Sequence, residues 1–209
     1  MKREILFCIL IAVMIAVLTA CAGKGNNPSP GSAGTGTTDA DRMATGKHYV
    51  EITVKDYGTI KAELDADTAP ITVTNFLKLV NDGFYDGLTF HRIMSGFMIQ
   101  GGDPLGTGMG GSKDKIKGEF SGNGVKNDLS HKRGAISMAR SQNKNSASSQ
   151  FFIVHEDSVF LDGDYACFGY VTEGMDVVDA ICEAVKPVDN NGTVPKENQP
   201  VIETVKVVD

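Results

Sequence analysis

A mostly-β domain with two helices is the fold class this sequence predicts, and three observations predict it. Apolar residues alternate with period two near position 50, where Val50, Ile52 and Val54 interleave with Tyr49, Glu51 and Thr53. Only two stretches, near residues 70–82 and 175–185, carry an apolar stripe at helical spacing. The other apolar runs are short and bounded by Gly, Pro, Asn and Asp, as strands are. Many short strands and two helices argue a β-barrel rather than an α/β sheet.

The first part of the chain does not read as part of that fold. Lys2-Arg3 is followed by an apolar run of 14 residues, Ile5 to Leu18. This is short for a membrane span and suits a signal sequence. Leu18-Thr19-Ala20-Cys21 resembles a bacterial lipoprotein cleavage box. The expectation is a signal peptide over 1–20 and a lipidated Cys21. An uncleaved anchor or a plain secretory signal are the alternatives, and all three place the domain outside the cytoplasm. Ala22 to Gly46 is rich in Gly, Ser, Thr, Asn and Pro. It lacks the apolar bulk to offset ordering entropy. A flexible tether over 21–46 is expected, with a reach of about 25–30 Å as a Gly/Ser-like coil. The domain then spans 47–209, lipid-anchored to a bacterial membrane.

The chain carries a net charge of −6. Losing Lys2, Arg3 and Glu4 with the signal removes a net +1 and leaves about −7. Such a field disfavours nucleic acid. Cys8 would leave with the signal. Cys167 and Cys182 sit in apolar surroundings and read as buried thiols, with a disulfide as the alternative. A monomer is expected.

Within the domain, His48–Val54 and Thr59–Asp65 form a hairpin across Lys55-Asp56-Tyr57-Gly58. Pro70 can open a helix at its first turn. Val73, Phe76, Leu77 and Val80 share one face, and Gly83 ends it. Strands follow around Phe90–Ile93, Phe97–Gln100, Gly134–Ala139, Phe151–Val154 and Ala166–Val171. A second helix spans about Met175–Val185, with Met175, Val178, Ile181, Cys182 and Val185 inward, and Pro187 stops it. Val201–Val208 is a last strand that would close the barrel.

The stretch Phe90-His91-Arg92-Ile93-Met94-Ser95-Gly96-Phe97-Met98-Ile99-Gln100-Gly101-Gly102-Asp103 sets one arginine and one glutamine among large apolar side chains. The Arg92 guanidinium carries five donors that need acceptors. A structural carboxylate or a ligand must supply them. His91 points to the opposite side of its strand and reads as structural.

This stretch resembles the cyclophilins, peptidyl-prolyl cis-trans isomerases. Gly134-Ala135-Ile136-Ser137-Met138-Ala139-Arg140 with Ser146-Ala147-Ser148-Ser149-Gln150-Phe151-Phe152-Ile153 is a second matching block. Phe160-Leu161-Asp162-Gly163-Asp164-Tyr165-Ala166-Cys167-Phe168-Gly169 is a third. The resemblance covers roughly His48 to Asp209. It implies a closed eight-stranded antiparallel β-barrel capped by two α-helices, and rotation of X–Pro bonds in proline-containing polypeptides, here exported folding clients.

The resemblance makes Arg92 the catalytic donor and Gln100 its partner. Phe97, Met98, Phe152 and Leu161 match the family's proline cup, and the main chain at Ala139 and Arg140 its peptide clamp. For each cup residue, plain core packing is the alternative. Phe151 is read as core, since a strand sends Phe151 and Phe152 to opposite faces. Phe160 stands where many members have tryptophan. It lacks the indole donor that the family's drug cyclosporin uses, so weak cyclosporin binding is expected. Tyr165 stands where some members have histidine and keeps an aromatic edge with a polar tip.

No metal or cofactor is expected. His48, His91, His131 and His155 are scattered, and no Cys/His spacing suggests a metal. Gly106-Thr107-Gly108-Met109-Gly110-Gly111 satisfies G-x-G-x-x-G without a strand before or a helix after it, so it reads as a surface loop. Asp162-Gly163-Asp164 lacks the further ligands of a calcium loop. Two other functions fit part of the sequence: a non-catalytic proline-peptide-binding module of the same fold, and a solute-binding lipoprotein. The domain is short for the two lobes of the latter.

Overall fold

The structure is a computed structural model that describes residues 43–209. The expected signal peptide, Cys21 and most of the tether lie outside the described residues. Strands β1 (Lys47–Val54) and β2 (Gly58–Asp65) form the predicted hairpin, with Val54 opposite Gly58. Asp56 turns the corner at φ 65°. Val50, Ile52, Val54, Ile60, Ala62 and Leu64 all face the core, as the period-two pattern requires.

Helix α1 (Pro70–Asn81) follows, with Pro at its first turn. Its N-cap, Ala69, offers no side-chain acceptor. The buried Glu119 carboxylate takes that place, accepting from Ile71 N at 3.0 Å and Thr72 N at 2.7 Å. The helix buries Val73, Phe76, Leu79 and Val80, whereas Leu77, expected inward, is only half-buried at the edge. The Phe76 ring packs against Tyr85, Phe151 and Phe168 at centroid distances of 5.0–5.5 Å.

Strands β3 (Phe90–Met94), β4 (Met98–Gly101), β5 (Ala135–Met138), β6 (Phe151–Val154) and β7 (Cys167–Glu173) complete the middle of the sheet. Gly174 then enters helix α2 (Met175–Ala184) at φ 88°, where a Cβ would run into the Thr59 carbonyl oxygen. This helix buries Val177, Val178, Ile181 and Cys182. Met175, expected inward, is half-buried. Cys167 and Cys182 are buried, and neither is paired among the described residues.

The last strand, β8 (Ile202–Val207), pairs with β1, giving the antiparallel order β3-β4-β6-β5-β7-β2-β1-β8. The expected closure fails at the two ends of that order. The sheet is a half-barrel open by 8 Å. β3 and β8 share no ladder, and a single bridge, Thr89 to Val201, links the segments before them. The outer edge of β3 is taken by the connection that precedes β8: Ile93 N donates to Gly192 O at 2.8 Å and Val194 N to His91 O at 3.0 Å. Pro195 and Pro200 in this connection have no N–H to extend a ladder.

Two apolar clusters result. The larger fills the inside of the sheet beneath α1 and α2. A smaller one holds Met98, Ala135, Phe152, Val154, Leu161 and Cys167. β5 and β6 are buried along their whole length, consistent with cover on both faces.

Candidate active site

The smaller cluster floors an open recess of about 140 Å³. Strand register builds it. Arg92 on β3 pairs with Gln100 on β4, Gln100 with Phe152 on β6, and Phe152 with Ser137 on β5. Four side chains therefore stand in one row across four strands. Met98, two residues before Gln100, shares its face. Phe97 comes from the β3–β4 turn, and Leu161 from a 3-10 turn at Val159–Leu161. Tyr165 and the Ala139–Arg140 main chain form the remaining wall. Of the ten residues singled out in the domain sequence, nine line this recess. Phe160 stands at its rim, 70% exposed, with its ring 5.7 Å from Phe97.

Among the described residues Arg92 makes no ion pair, and its acceptors are neutral. Nε–H donates to Asn191 O at 2.6 Å, Nη1 to Gln100 Oε1 at 3.3 Å, and Nη2 approaches Met94 Sδ at 3.1 Å. The structural ion pair that could have accounted for this arginine is thus not made among the described residues. Burial draws its pKa down, against the charges of Tyr165 and Asp189, but a guanidinium stays protonated at any ordinary pH. A desolvated cation with spare donors therefore borders an apolar hollow.

Gln100 is fixed from both ends. Its Oε1 accepts from Arg92, so its Nε2 must donate, and it does so to Gln150 Oε1 at 2.8 Å. Gln150 Nε2 in turn donates to Gly110 O at 2.6 Å and Gly108 O at 3.1 Å. These two glycines belong to the G-x-G-x-x-G segment, a loop as expected. Asp103 organises it by accepting from Leu105, Thr107 and Gly108 amides at 2.6–3.0 Å. Burial raises the Asp103 pKa, but these amides outweigh it and hold the carboxyl below the usual range.

Phe152 is fixed from behind. The buried His131 ring stacks on it, 6.0 Å between centroids and 18° between planes. His131 Nδ1–H reaches Asp162 Oδ1 at 2.7 Å, and Nε2 lies 3.0 Å from Ser137 Oγ. This Ser-His-Asp alignment resembles that of a nucleophilic triad, yet Ser137 and His131 are both 0% exposed, so no substrate reaches it. It braces the recess. Burial lowers the His131 pKa, with Asp162 opposing. The Asp162 pKa is raised by burial but lowered further by hydrogen bonds from Ser130 and His131.

His91 lies on the other face of β3, buried, with neither ring nitrogen bonded to the described residues. Sequence reasoning missed Asn191, Gln150 and His131. Gln150 sat within a quoted block next to Phe151. Asn191 acts through its carbonyl, which leaves no residue-type signal.

The chain is similar to several known proteins. The family described as "Cyclophilin type peptidyl-prolyl cis-trans isomerase/CLD" matches residues 49–207. The chain is 45% identical over 155 residues to a Bacillus subtilis protein named peptidyl-prolyl cis-trans isomerase B, covering 74% of this chain and 96% of that one. It is 40% identical over 164 residues to the Dickeya dadantii peptidyl-prolyl cis-trans isomerase A, covering 72% and 80%. The fold is similar to that of a Cryptosporidium parvum cyclophilin type isomerase solved in the presence of the dipeptide Ala-Pro. That match has a TM-score of 0.67 and 31% identity, over 77% of this chain and 99% of the other.

Proposed function

Since the chain belongs to the cyclophilin-type peptidyl-prolyl cis-trans isomerase family and so to that enzyme class, we propose that it turns X–Pro bonds with Arg92 as donor and the recess as proline seat. Rotation about such a bond needs no nucleophile, proton transfer or metal. The barrier is amide resonance, about 20 kcal/mol, and the uncatalysed step takes tens to hundreds of seconds. In the twisted amide the prolyl nitrogen is pyramidal and regains its lone pair. A fixed donor aimed at that nitrogen favours the twisted state over the planar one.

The observation that carries this reading is Arg92, held beside an apolar recess with no carboxylate among the described residues paired to it. Phe97, Met98, Phe152 and Leu161 offer a dry seat for a pyrrolidine ring. Gln100 orients the guanidinium and can hold the peptide backbone of the turning segment, with the main chain at Ala139 and Arg140 as clamp. Exchange NMR on an X–Pro peptide tests it. Cis/trans exchange accelerated by substoichiometric protein is the expected result. Peptide binding without acceleration would leave only a proline-binding module.

The same proposal sets the enzyme outside the cytoplasm, tethered by lipid on Cys21 and acting on exported polypeptides. Its support is the basic start, the apolar run, the box ending at Cys21 and the Gly/Ser/Thr-rich stretch after it. Metabolic labelling with palmitate should mark the protein and fail on Cys21→Ser. Equal labelling of the two would remove the anchor.

A further inference from the structure

A second recess, of about 480 Å³, adjoins the first and shares Gln100, Ala139 and Arg140 with it. None of its lining residues is acidic, and two are cationic, Arg140 and Lys115, on a chain of net charge −6. Arg140 is held in a fixed pose. Its guanidinium lies 4.6 Å from the Tyr165 ring centroid and 5.2 Å from that of Phe120. Its Nε donates to Asp164 O and Nη1 to Ser141 O, both at 2.9 Å. Two of five donor hydrogens are thereby used, and the Nη2 pair has no acceptor among the described residues. Lys115 Nζ rests on Ser148 Oγ at 3.2 Å.

Neither cation has a carboxylate within ion-pair distance among the described residues. Of the acids nearby, Glu119 is committed to the first turn of α1 and Asp103 to the amides of its own loop, while Asp164 meets Arg140 through its carbonyl and forms no ion pair with it. A guanidinium already held in place, with spare donors, a second cation beside it and no ion-paired carboxylate, selects an anion.

Resting on the isomerase reading, we infer that Arg140 and Lys115 select substrates with an Asp or Glu side chain within two residues of the proline. The two recesses share a wall, and successive residues of an extended peptide advance about 3.3 Å. A proline seated in the first therefore brings a close neighbour's side chain over the second. Arg140 then acts on specificity through its side chain as well as through its main chain.

The test is a set of X–Pro peptides in which Glu or Gln is scanned through the two positions on either side of the proline. Exchange NMR gives kcat/KM with the full chain. At one position Glu should exceed Gln by about fivefold, the scale of a partly exposed charge-assisted contact, expressed in KM and reduced by added salt. Lys115→Gln, on an exposed side chain, should shrink the preference. Arg140→Gln should remove it, and Arg140→Lys should keep part of it. Equal turnover of Glu and Gln peptides at every position overturns the inference while leaving the isomerase intact, as does a preference that survives both Gln substitutions. No acceleration of any peptide removes the isomerase reading and this inference with it.

Discussion

The Arg92 Nε–H donates to the Asn191 carbonyl at 2.6 Å, across a sequence separation of 99 residues. The acceptor is set by a turn that Asp189 closes, its carboxylate accepting from Asn191 N at 3.0 Å and Thr193 N at 2.9 Å. Those bonds, Thr193 first, hold the Asp189 carboxyl below its usual range. Asp189 is therefore a positioning residue for Arg92. Asp189→Ala should lower kcat/KM by about three- to tenfold, the scale of a small misalignment at a reacting group. Asp189→Asn, which keeps an acceptor oxygen, should restore most of it. The check is the exchange rate together with the Arg92 Nε–H resonance, which should move in the Ala variant and return in the Asn variant.

Phe151 and Phe152 are adjacent and serve different clusters. Phe151 packs in the inner core with Phe76, Tyr85 and Phe90, while Phe152 faces the recess. Phe151→Ala should cost about 3–5 kcal/mol of stability, as large-to-small core changes do. Phe152→Ala opens onto an existing hollow. It should cost less stability and lower kcat/KM through KM. Urea unfolding and the exchange assay, run on both variants, separate the two effects.

That division was legible in the sequence, because strand period two forces neighbours to opposite faces. That Arg92, Gln100, Phe97, Met98, Phe152 and Leu161 come together was legible too, since the three matching blocks carry them as side chains. The seam was not. Val201–Val208 has the alternation of a strand and gives no sign of which edge it joins; the connection with Pro195 and Pro200 occupies the edge of β3 instead. Nor was the setting of Arg92, since a carbonyl acceptor leaves no mark in residue type. On α2, Met175 has the right spacing but stands on the first turn, where cover is incomplete.

Acid should destabilise the protein in two windows. Burial depresses the pKa of His131 and of His91 in the folded state. Their unfolded forms take up protons first, so stability is complete above about pH 6.5 and falls as pH drops toward the depressed folded values. The Asp162 and Asp103 pKa values are also depressed. Their contribution is present above about pH 4 and is lost as pH falls through their folded values. Tm measured against pH should show both declines. His131→Gln should flatten the upper one, and an unchanged slope would count against the assignment.

Phe160 presents a flat apolar wall at the rim and no donor. Cyclosporin should bind weakly, and Phe160→Trp should tighten it by about fivefold, the worth of one net hydrogen bond. The chain has no tryptophan, so the new indole also reports binding by its own fluorescence. A parent Kd already matching that of tryptophan-bearing relatives would contradict this.

If the Arg92 guanidinium lowers the barrier to X–Pro rotation, its removal must slow that rotation. The most direct measurement is cis/trans exchange of an X–Pro peptide by NMR with the parent, Arg92→Lys and Arg92→Ala side by side, peptide Kd being read from the same titration. Arg92→Ala should lose at least about a hundredfold in exchange rate, the scale of one preorganised donor. Peptide affinity should change far less, and Arg92→Lys should fall between. An Arg92→Ala protein that binds the peptide and exchanges it at the parent rate would contradict the mechanism.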